Sequence, residues 1–346
     1  MKRKIIKLFF ECGLLLIMLF CLLWHNMLIY AISQAKGQLT IVWNSQPIEE
    51  LLQDPTFPDS LKQKLILIGE IKQYAIDSIG IHPSDNYSIV YNQRNKPILL
   101  TVSACEPYSF KAKEWSFPFL GTVSYKGFFN KEEARKEIIE LKSKGYDVDV
   151  YSPSGWSTLG WFTDPILSNM LYKNEGQLAN LIIHELTHGT IYIKDNVTFN
   201  ENLANFIGDK GAENFLIYKY GVDSKQYLDY EKSKVDDKCF KDYILKNTER
   251  LDSLYSTLIV KGTEEDKKHK KVKLLTEIVL GVNKLPLYNK KSYFKYLLQA
   301  FAEQNAFFMA FTRYDSQYET FEKDYDGKHK SILRNYLLSL KDLYKI

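Results

Sequence analysis

The chain of 346 residues is long enough to bury a large core, and 45% hydrophobic with 25% charged residues is typical of a globular protein. Its 46 basic and 42 acidic residues leave a formal net charge of +4, far from the strongly basic field of a nucleic-acid-binding domain. One dense basic run, residues 267–271, follows acidic residues 264–266. Because no nucleic-acid-binding motif accompanies this run, we predict a solvated helix face or loop and no nucleic-acid partner.

The N-terminus combines basic residues with a largely apolar segment. Lysines and an arginine within residues 2–7 precede Leu8–Ile32, and about 20 apolar residues suffice to span a bilayer. Since basic residues favour the cytoplasmic side, we predict that residues 1–34 form a cytoplasmic tail and a transmembrane helix. The body, residues 35–346, is then expected on the periplasmic or extracellular side. No clear small-residue cleavage site follows the apolar core, so an uncleaved anchor is favoured over a secretory signal peptide.

After this segment the sequence predicts an α+β body, mostly helical, with a small mixed sheet. Apolar residues follow the helical period between Pro47 and Ile79, and a further helix is expected over Lys131–Lys144. The predicted strands are Tyr87–Tyr91, Pro97–Val102, Gly121–Tyr125 and Tyr146–Tyr151. From Pro165 onward the pattern is mostly helical. We therefore expect a strand-containing part over about residues 80–155 and a helical part with the functional site over about residues 156–346.

The segment that indicates chemistry is His184-Glu185-Leu186-Thr187-His188, which has the form H-E-x-x-H. On a helix, positions i and i+4 share one face, so the imidazoles of His184 and His188 can reach a single zinc ion. Glu185 then lies beside the open coordination position, where it can accept a proton from bound water. Apolar residues surround the motif, as expected for a buried helix.

A third ligand is expected from the next helix. Glu201 follows the second histidine by thirteen residues and lies near the start of an apolar stretch, Phe199–Gly208, with Asn200 as the predicted N-cap. Asn205 comes four residues later, so an amide that supports a metal ligand can share the face of Glu201. We predict one Zn²⁺ per chain, bound by His184, His188 and Glu201, with Glu185 as the catalytic base.

The block around His184 resembles a bacterial family described as predicted aminopeptidases, in which a histidine-glutamate helix is followed by an Asn-Glu-x-x-Ala segment, here Asn200–Ala204. The resemblance extends from about residue 34 to about residue 315. Similar segments are residues 34–39, 47–50, 123–129, 157–162, 164–165 and 305–306. The resemblance implies a zincin-like metallopeptidase of the class with a glutamate as third ligand. The functional residues that the resemblance assigns in this chain are His184, Glu185, His188 and Glu201 alone.

The chain departs from this family pattern at several cysteines. Ser116 and Thr122 stand where relatives often have cysteines, which removes a local disulfide and leaves the metal site untouched. Many relatives resemble lipoproteins, whereas the residues before Cys21 lack the small side chains that acylation requires. Cys105 and Cys239 can form at most one bridge, and their pairing cannot be read from the sequence.

The activity itself is implied by the resemblance and not by identified substrate contacts. No residues for a substrate's free ammonium can be assigned, and the Gly-x-Met-Glu-Asn segment of one large aminopeptidase class is absent. The alternatives are a zinc endopeptidase and a non-catalytic binding protein that keeps the fold, although the intact Glu185 argues against the second. Tyr314 is one candidate oxyanion donor among 24 tyrosines. The expected partner is a peptide, and the oligomeric state is left open.

Overall fold

The computed structural model of the chain has the mostly helical α+β architecture that the sequence predicts. It describes residues 11, 18, 24–117, 121–153, 155, 163–194, 196–261, 263–299, 301, 305–311 and 317–345. The helices are α1 His25–Trp43, α2 Ile48–Gln53, α3 Asp59–Tyr74, α4 Lys131–Ser143, α5 Glu175–His188, α6 Val197–Tyr220, α7 Lys225–Lys261, α8 Glu264–Gly281, α9 Lys290–Leu297, α10 Asn305–Phe311, α11 Tyr318–His329 and α12 Leu333–Tyr344. The strands are β1 Ser45–Pro47, β2 Ile89–Tyr91, β3 Leu100–Cys105, β4 Trp115–Phe117, β5 Gly121–Val123, β6 Lys126–Phe128, β7 Asp147–Tyr151 and β8 Ile166–Leu167.

Helix α1 covers the end of the segment for which a membrane anchor was expected. The Tyr30 hydroxyl donates to the carbonyl of Gly127 at 2.8 Å, and Ser33 donates to Glu133 at 3.0 Å. Polar side chains recur along α1, so its apolar character is not sustained. Among the helices that the structure describes, none combines the length and the apolar character needed to cross a membrane. This finding overturns the predicted anchor at residues 1–34 and the predicted extracytoplasmic location of the body.

The long helix expected over Pro47–Ile79 is interrupted. Residues 45–47 form strand β1, and the loop between α2 and α3 contains Pro55 and Pro58. Proline lacks a backbone N–H and disfavours helical backbone in the residue before it, so the helical pattern breaks here. Helix α3 then begins after Pro58 and continues into a π-helical turn, Ala75–Ile79.

The strands form two three-stranded sheets and a hairpin. The first sheet has the order β1-β2-β8: β1 is antiparallel to β2, and β2 is parallel to β8, with Val90 opposite Ile166. The second sheet, β6-β3-β7, is antiparallel throughout, and β4 pairs with β5. The sequence did not predict β1, β4, β6 or β8. Strand β8 matters for the site because it fixes the chain shortly before α5.

The two helices of the predicted metal site lie in the main hydrophobic core. This core joins α3, α5, α6, α11 and α12, with Ile68, Ile182 and Phe206 fully buried. Separate clusters join α7 to α10 and cover the second sheet. A Cβ built on Gly208 of α6 would lie 3.0 Å from the carbonyl oxygen of Asn180 and 3.1 Å from the Cβ of His184. Glycine at this position therefore lets α6 approach α5 closely, directly beside the first histidine.

Candidate metal centre

Helix α5 has a well-defined start. In a capping box, the Asn174 side chain accepts a hydrogen bond from the Gln177 N–H at 2.8 Å, and the Gln177 side chain accepts from the Asn174 N–H. The apolar residues Leu178, Ile182 and Leu186 are buried in the core. With that face fixed, His184 and His188 both turn toward α6, and their side chains are 15% and 9% exposed.

Helix α6 begins earlier than the sequence indicated. Its N-cap is Asn196, whose side chain accepts from the Phe199 N–H at 3.2 Å. Asn200, the predicted N-cap, instead bonds the N–H and the carbonyl of Ile193, both at 2.8 Å. Asn200 thus ties the loop between the two helices to α6. Glu201, the next residue, is held opposite the histidines of α5.

The three predicted ligands converge on one point. The Nε2 atoms of His184 and His188 are 3.2 Å apart. One carboxylate oxygen of Glu201 lies 3.7 Å from His184 Nε2, and the other lies 3.6 Å from His188 Nε2. Ligands at about 2.0–2.2 Å from a tetrahedral ion are roughly 3.3–3.6 Å from one another. The spacing and the nitrogen and oxygen donors therefore fit a single zinc ion.

The two histidines differ in their support. The Asn205 side chain, one turn after Glu201, forms a hydrogen bond with His184. The Nδ1 atom of His188 is buried and has no hydrogen-bond partner among the described residues. Asn202, beside Glu201, is fully buried and accepts from the backbone N–H of Gln317 at 3.1 Å. Asn205 and Asn202 therefore connect the ligand helix to one imidazole and to the chain preceding α11.

Burial and neighbouring charges shift the pKa values of the three predicted ligands in different directions. Burial alone lowers the pKa of His184, but the contact with the Glu201 carboxylate, the nearby charge of Glu185 and the Asn205 contact raise it above its usual value. Burial and the neighbouring His184 lower the pKa of His188 to about 4. Burial raises the pKa of Glu201, yet its contacts with the two histidines hold it below the usual range. His188 is thus held neutral and Glu201 ionised, which is the protonation state that metal binding requires of these two ligands.

Glu185 has a different environment from Glu201. Burial raises the pKa of Glu185 to about 7, against the opposing charge of His184 and with the carboxylates of Glu201 and Asp164 adding to the rise. Two residues that the sequence did not single out interact with this carboxylate. Gly155 packs against it, and the charge of the carboxylate contributes to raising the pKa of Tyr87. A lone glycine after a strand is typical of many turns, so the sequence carried no signal for a contact with Glu185.

The other residues singled out in the sequence lie either outside the described residues or away from the three predicted ligands. Tyr314 and residues 157–162 lie outside the described residues. Cys105 and Cys239 are both free thiols. The basic run at 267–271 lies on helix α8 and not in a loop, and its last residue, Lys271, is buried and not solvated. Its ammonium group bonds Asp147 at 2.5 Å.

The geometry defines a possible metal-binding triad of two histidines and a glutamate, compatible with zinc, with a second glutamate between the histidines. A family model described as "Putative aminopeptidase" matches residues 29–345. The chain therefore belongs to this family, which confirms the resemblance seen in its sequence and supports a peptidase. No curated protein and no solved structure matches the chain.

Proposed function

We propose that this protein is a zinc-dependent aminopeptidase with a zincin-like site, in which His184, His188 and Glu201 hold one Zn²⁺ and Glu185 is the general base. The observation that carries the proposal is the convergence of two imidazoles and one carboxylate at tetrahedral spacing, beside the separate carboxylate of Glu185. Family membership supports the peptide substrate. The choice of the free amino terminus as the point of attack follows from the family description alone.

Zinc, when bound, polarises a carbonyl and lowers the pKa of a coordinated water towards about 7. The chain's own residues then have separate tasks. Glu185 accepts the proton of the attacking water on a carboxylate oxygen and delivers it to the leaving amine. Asn205 holds the ring of His184 in the orientation that directs Nε2 to the ion.

The proposal is tested by metal analysis and peptide hydrolysis on the same purified sample. We expect about one zinc per chain, turnover that chelation abolishes, and recovery when zinc is restored. Glu185→Gln is the matched control, because it should keep the metal and lose the turnover. A metal-loaded protein that cleaves no member of a broad peptide library would contradict the enzyme and favour the non-catalytic alternative.

A second comparison separates the two kinds of peptidase. Each active peptide is offered with a free and with an acetylated amino terminus. An aminopeptidase removes single residues from the free form and leaves the acetylated form intact. Equal cleavage of both forms at an internal bond would replace the aminopeptidase by an endopeptidase without affecting the assignment of the metal site.

A further inference from the structure

The carboxylate of Glu185 lies against the backbone of a buried glycine. Gly155 follows β7 by four residues. A Cβ built on Gly155 would lie 2.1 Å from Glu185 Oε1 and 2.7 Å from its carboxyl carbon, whereas ordinary contact begins at 3.4 Å. Any side chain at this position would therefore displace the carboxylate oxygen by more than about 1 Å, a misplacement large enough to reduce catalysis. The absence of a side chain at residue 155 reserves the space that Glu185 occupies.

Tyr87 is a second buried group that interacts electrostatically with Glu185. Burial, together with the charges of Glu185 and Asp164, raises the pKa of Tyr87 well above its usual value, so the phenol remains protonated and can act as a donor. The side chain is 3% exposed, and its hydroxyl has no hydrogen-bond partner among the described residues. A buried hydroxyl without a partner costs about 1–3 kcal/mol, and such groups are rare in native structures.

The backbone of Tyr87 is also in an unfavourable conformation. Its φ of +63° lies in the left-handed region, which is unfavourable for a bulky residue. Hydrogen bonds to one residue hold it there: the Tyr87 N–H donates to the carbonyl of Asp164 at 2.7 Å. The Asn86 side chain donates to the Asp164 carboxylate at 3.1 Å and accepts from the Asp164 N–H at 3.0 Å. Backbone strain and a hydroxyl that is unpaired among the described residues therefore coincide on one residue that interacts electrostatically with Glu185. Strain of this kind clusters at functional sites.

We propose that Tyr87 and Gly155 are positioning residues for Glu185: Gly155 leaves room for the carboxylate, and the Tyr87 hydroxyl donates the hydrogen bond that orients it in the working enzyme. The inference rests on the proposed function, because it assigns no role to these residues unless Glu185 is the base. It explains why the chain tolerates a strained, unpaired tyrosine at this place. A donor that orients the base acts on the chemical step and not on substrate affinity.

Tyr87→Phe removes only the hydroxyl and is the primary test. We expect kcat to fall by about 10–100-fold, the usual effect of losing a group that orients an active-site residue, with KM and zinc content unchanged. Because the variant removes an unsatisfied buried group, its thermal stability should be equal to or above that of the wild type. Tyr255→Phe is the matched control, since Tyr255 is equally buried but donates to Asn305 at 2.6 Å in another core. This control should lose stability and keep its kcat.

Gly155→Ala tests the other half of the proposal. We expect kcat to fall by about 100-fold at unchanged zinc content. Gly189→Ala is the matched control, because a Cβ there would come no closer than 3.6 Å to its nearest neighbour. If Glu185→Gln abolishes turnover while Tyr87→Phe and Gly155→Ala both keep wild-type kcat, this inference is wrong and the proposed function stands. A raised KM at constant kcat in Tyr87→Phe would also overturn it. Normal turnover in Glu185→Gln would remove the proposed base itself.

Discussion

Two buried polar clusters in this molecule differ in how completely their groups are paired. In the cluster around Lys271, the ammonium group bonds the Asp147 carboxylate at 2.5 Å and the carbonyl of Pro107 at 2.7 Å. The Asn305 side chain accepts from Tyr255 at 2.6 Å and donates to carbonyl groups, and the Asn305 N–H reaches Asp147 at 3.1 Å. This network links β7, α7, α8 and α10.

The cluster around His184 and His188 lacks this completeness. The Nε2 atoms of the two histidines are 3.2 Å apart, and His188 Nδ1 is unpaired among the described residues. The hydroxyl of Tyr87, which interacts electrostatically with Glu185, is also unpaired in the described part of the chain. Partly satisfied buried networks are less stable than fully satisfied ones, so the difference needs a cause. We infer that the Lys271 cluster stabilises the fold and that the histidine cluster is arranged for a cation and a substrate. The predictions below follow from that difference.

The largest effect is expected from His184→Ala or His188→Ala. Each removes one of three donor atoms, so zinc binding and peptide hydrolysis should both be lost. Zinc is quantified by mass spectrometry of metals on the sample used for turnover. His269→Ala, at an exposed position of α8, is the control and should retain both. Full zinc occupancy in either ligand variant would contradict the assignment.

Glu185→Gln should separate binding from chemistry. The amide keeps the shape of the side chain but cannot accept the proton, so turnover should fall by about 10²–10⁴-fold while zinc stoichiometry stays constant. Steady-state kinetics on a peptide with a free amino terminus measure the loss. Near-normal turnover would exclude Glu185 from the mechanism.

Asp147→Asn should lower the stability of the fold and leave turnover unchanged, which is the opposite of the effect expected for Glu185→Gln. It leaves the ammonium group of Lys271 buried without its counter-charge, which typically destabilises a protein by about 3–5 kcal/mol. Urea unfolding measures the loss, and zinc content and kcat should be unchanged at temperatures where the variant remains folded. Glu140→Gln is the control, because its ion pair with Lys144 is largely exposed and should matter little. Loss of zinc in folded Asp147→Asn would show that the two clusters are coupled.

The sequence predicted the part of the site that local spacing determines. His184, Glu185 and His188 follow from helical periodicity, and Glu201 follows from its place near the start of the next apolar stretch. The helix start was misjudged because Asn196 and Asn200 are both suitable capping residues, and only the loop contact with Ile193 distinguishes them. The α+β class was predictable because the helical segments and four of the described strands, β2, β3, β5 and β7, have recognisable patterns in the sequence.

Features that depend on tertiary packing were not predictable. The apolar pattern ending at Ile32 favoured a membrane anchor, whereas α1 packs on the body through Tyr30 and Ser33. Lys271 lies in a basic run that indicates solvent, and its burial depends on Asp147, 124 residues away. The close approach of Gly155 to Glu185 and the charge interaction between Tyr87 and Glu185 also join distant parts of the chain. No local periodicity encodes such contacts.

The smallest effect is expected from Asn205→Ala, which tests the asymmetry between the two histidines. Asn205 bonds His184, whereas His188 Nδ1 has no such partner in the described part of the chain. Loss of a group that orients a metal-binding histidine typically weakens metal affinity by about 10–100-fold, so zinc should still bind at saturating concentration. Competition with a chromophoric chelator measures the affinity. Asn205→Asp keeps an oxygen acceptor and should restore most of it. Unchanged affinity in Asn205→Ala would mean that packing against Gly208 alone fixes the ring of His184, and that both imidazoles are held by the close approach of α5 and α6 without help from an amide.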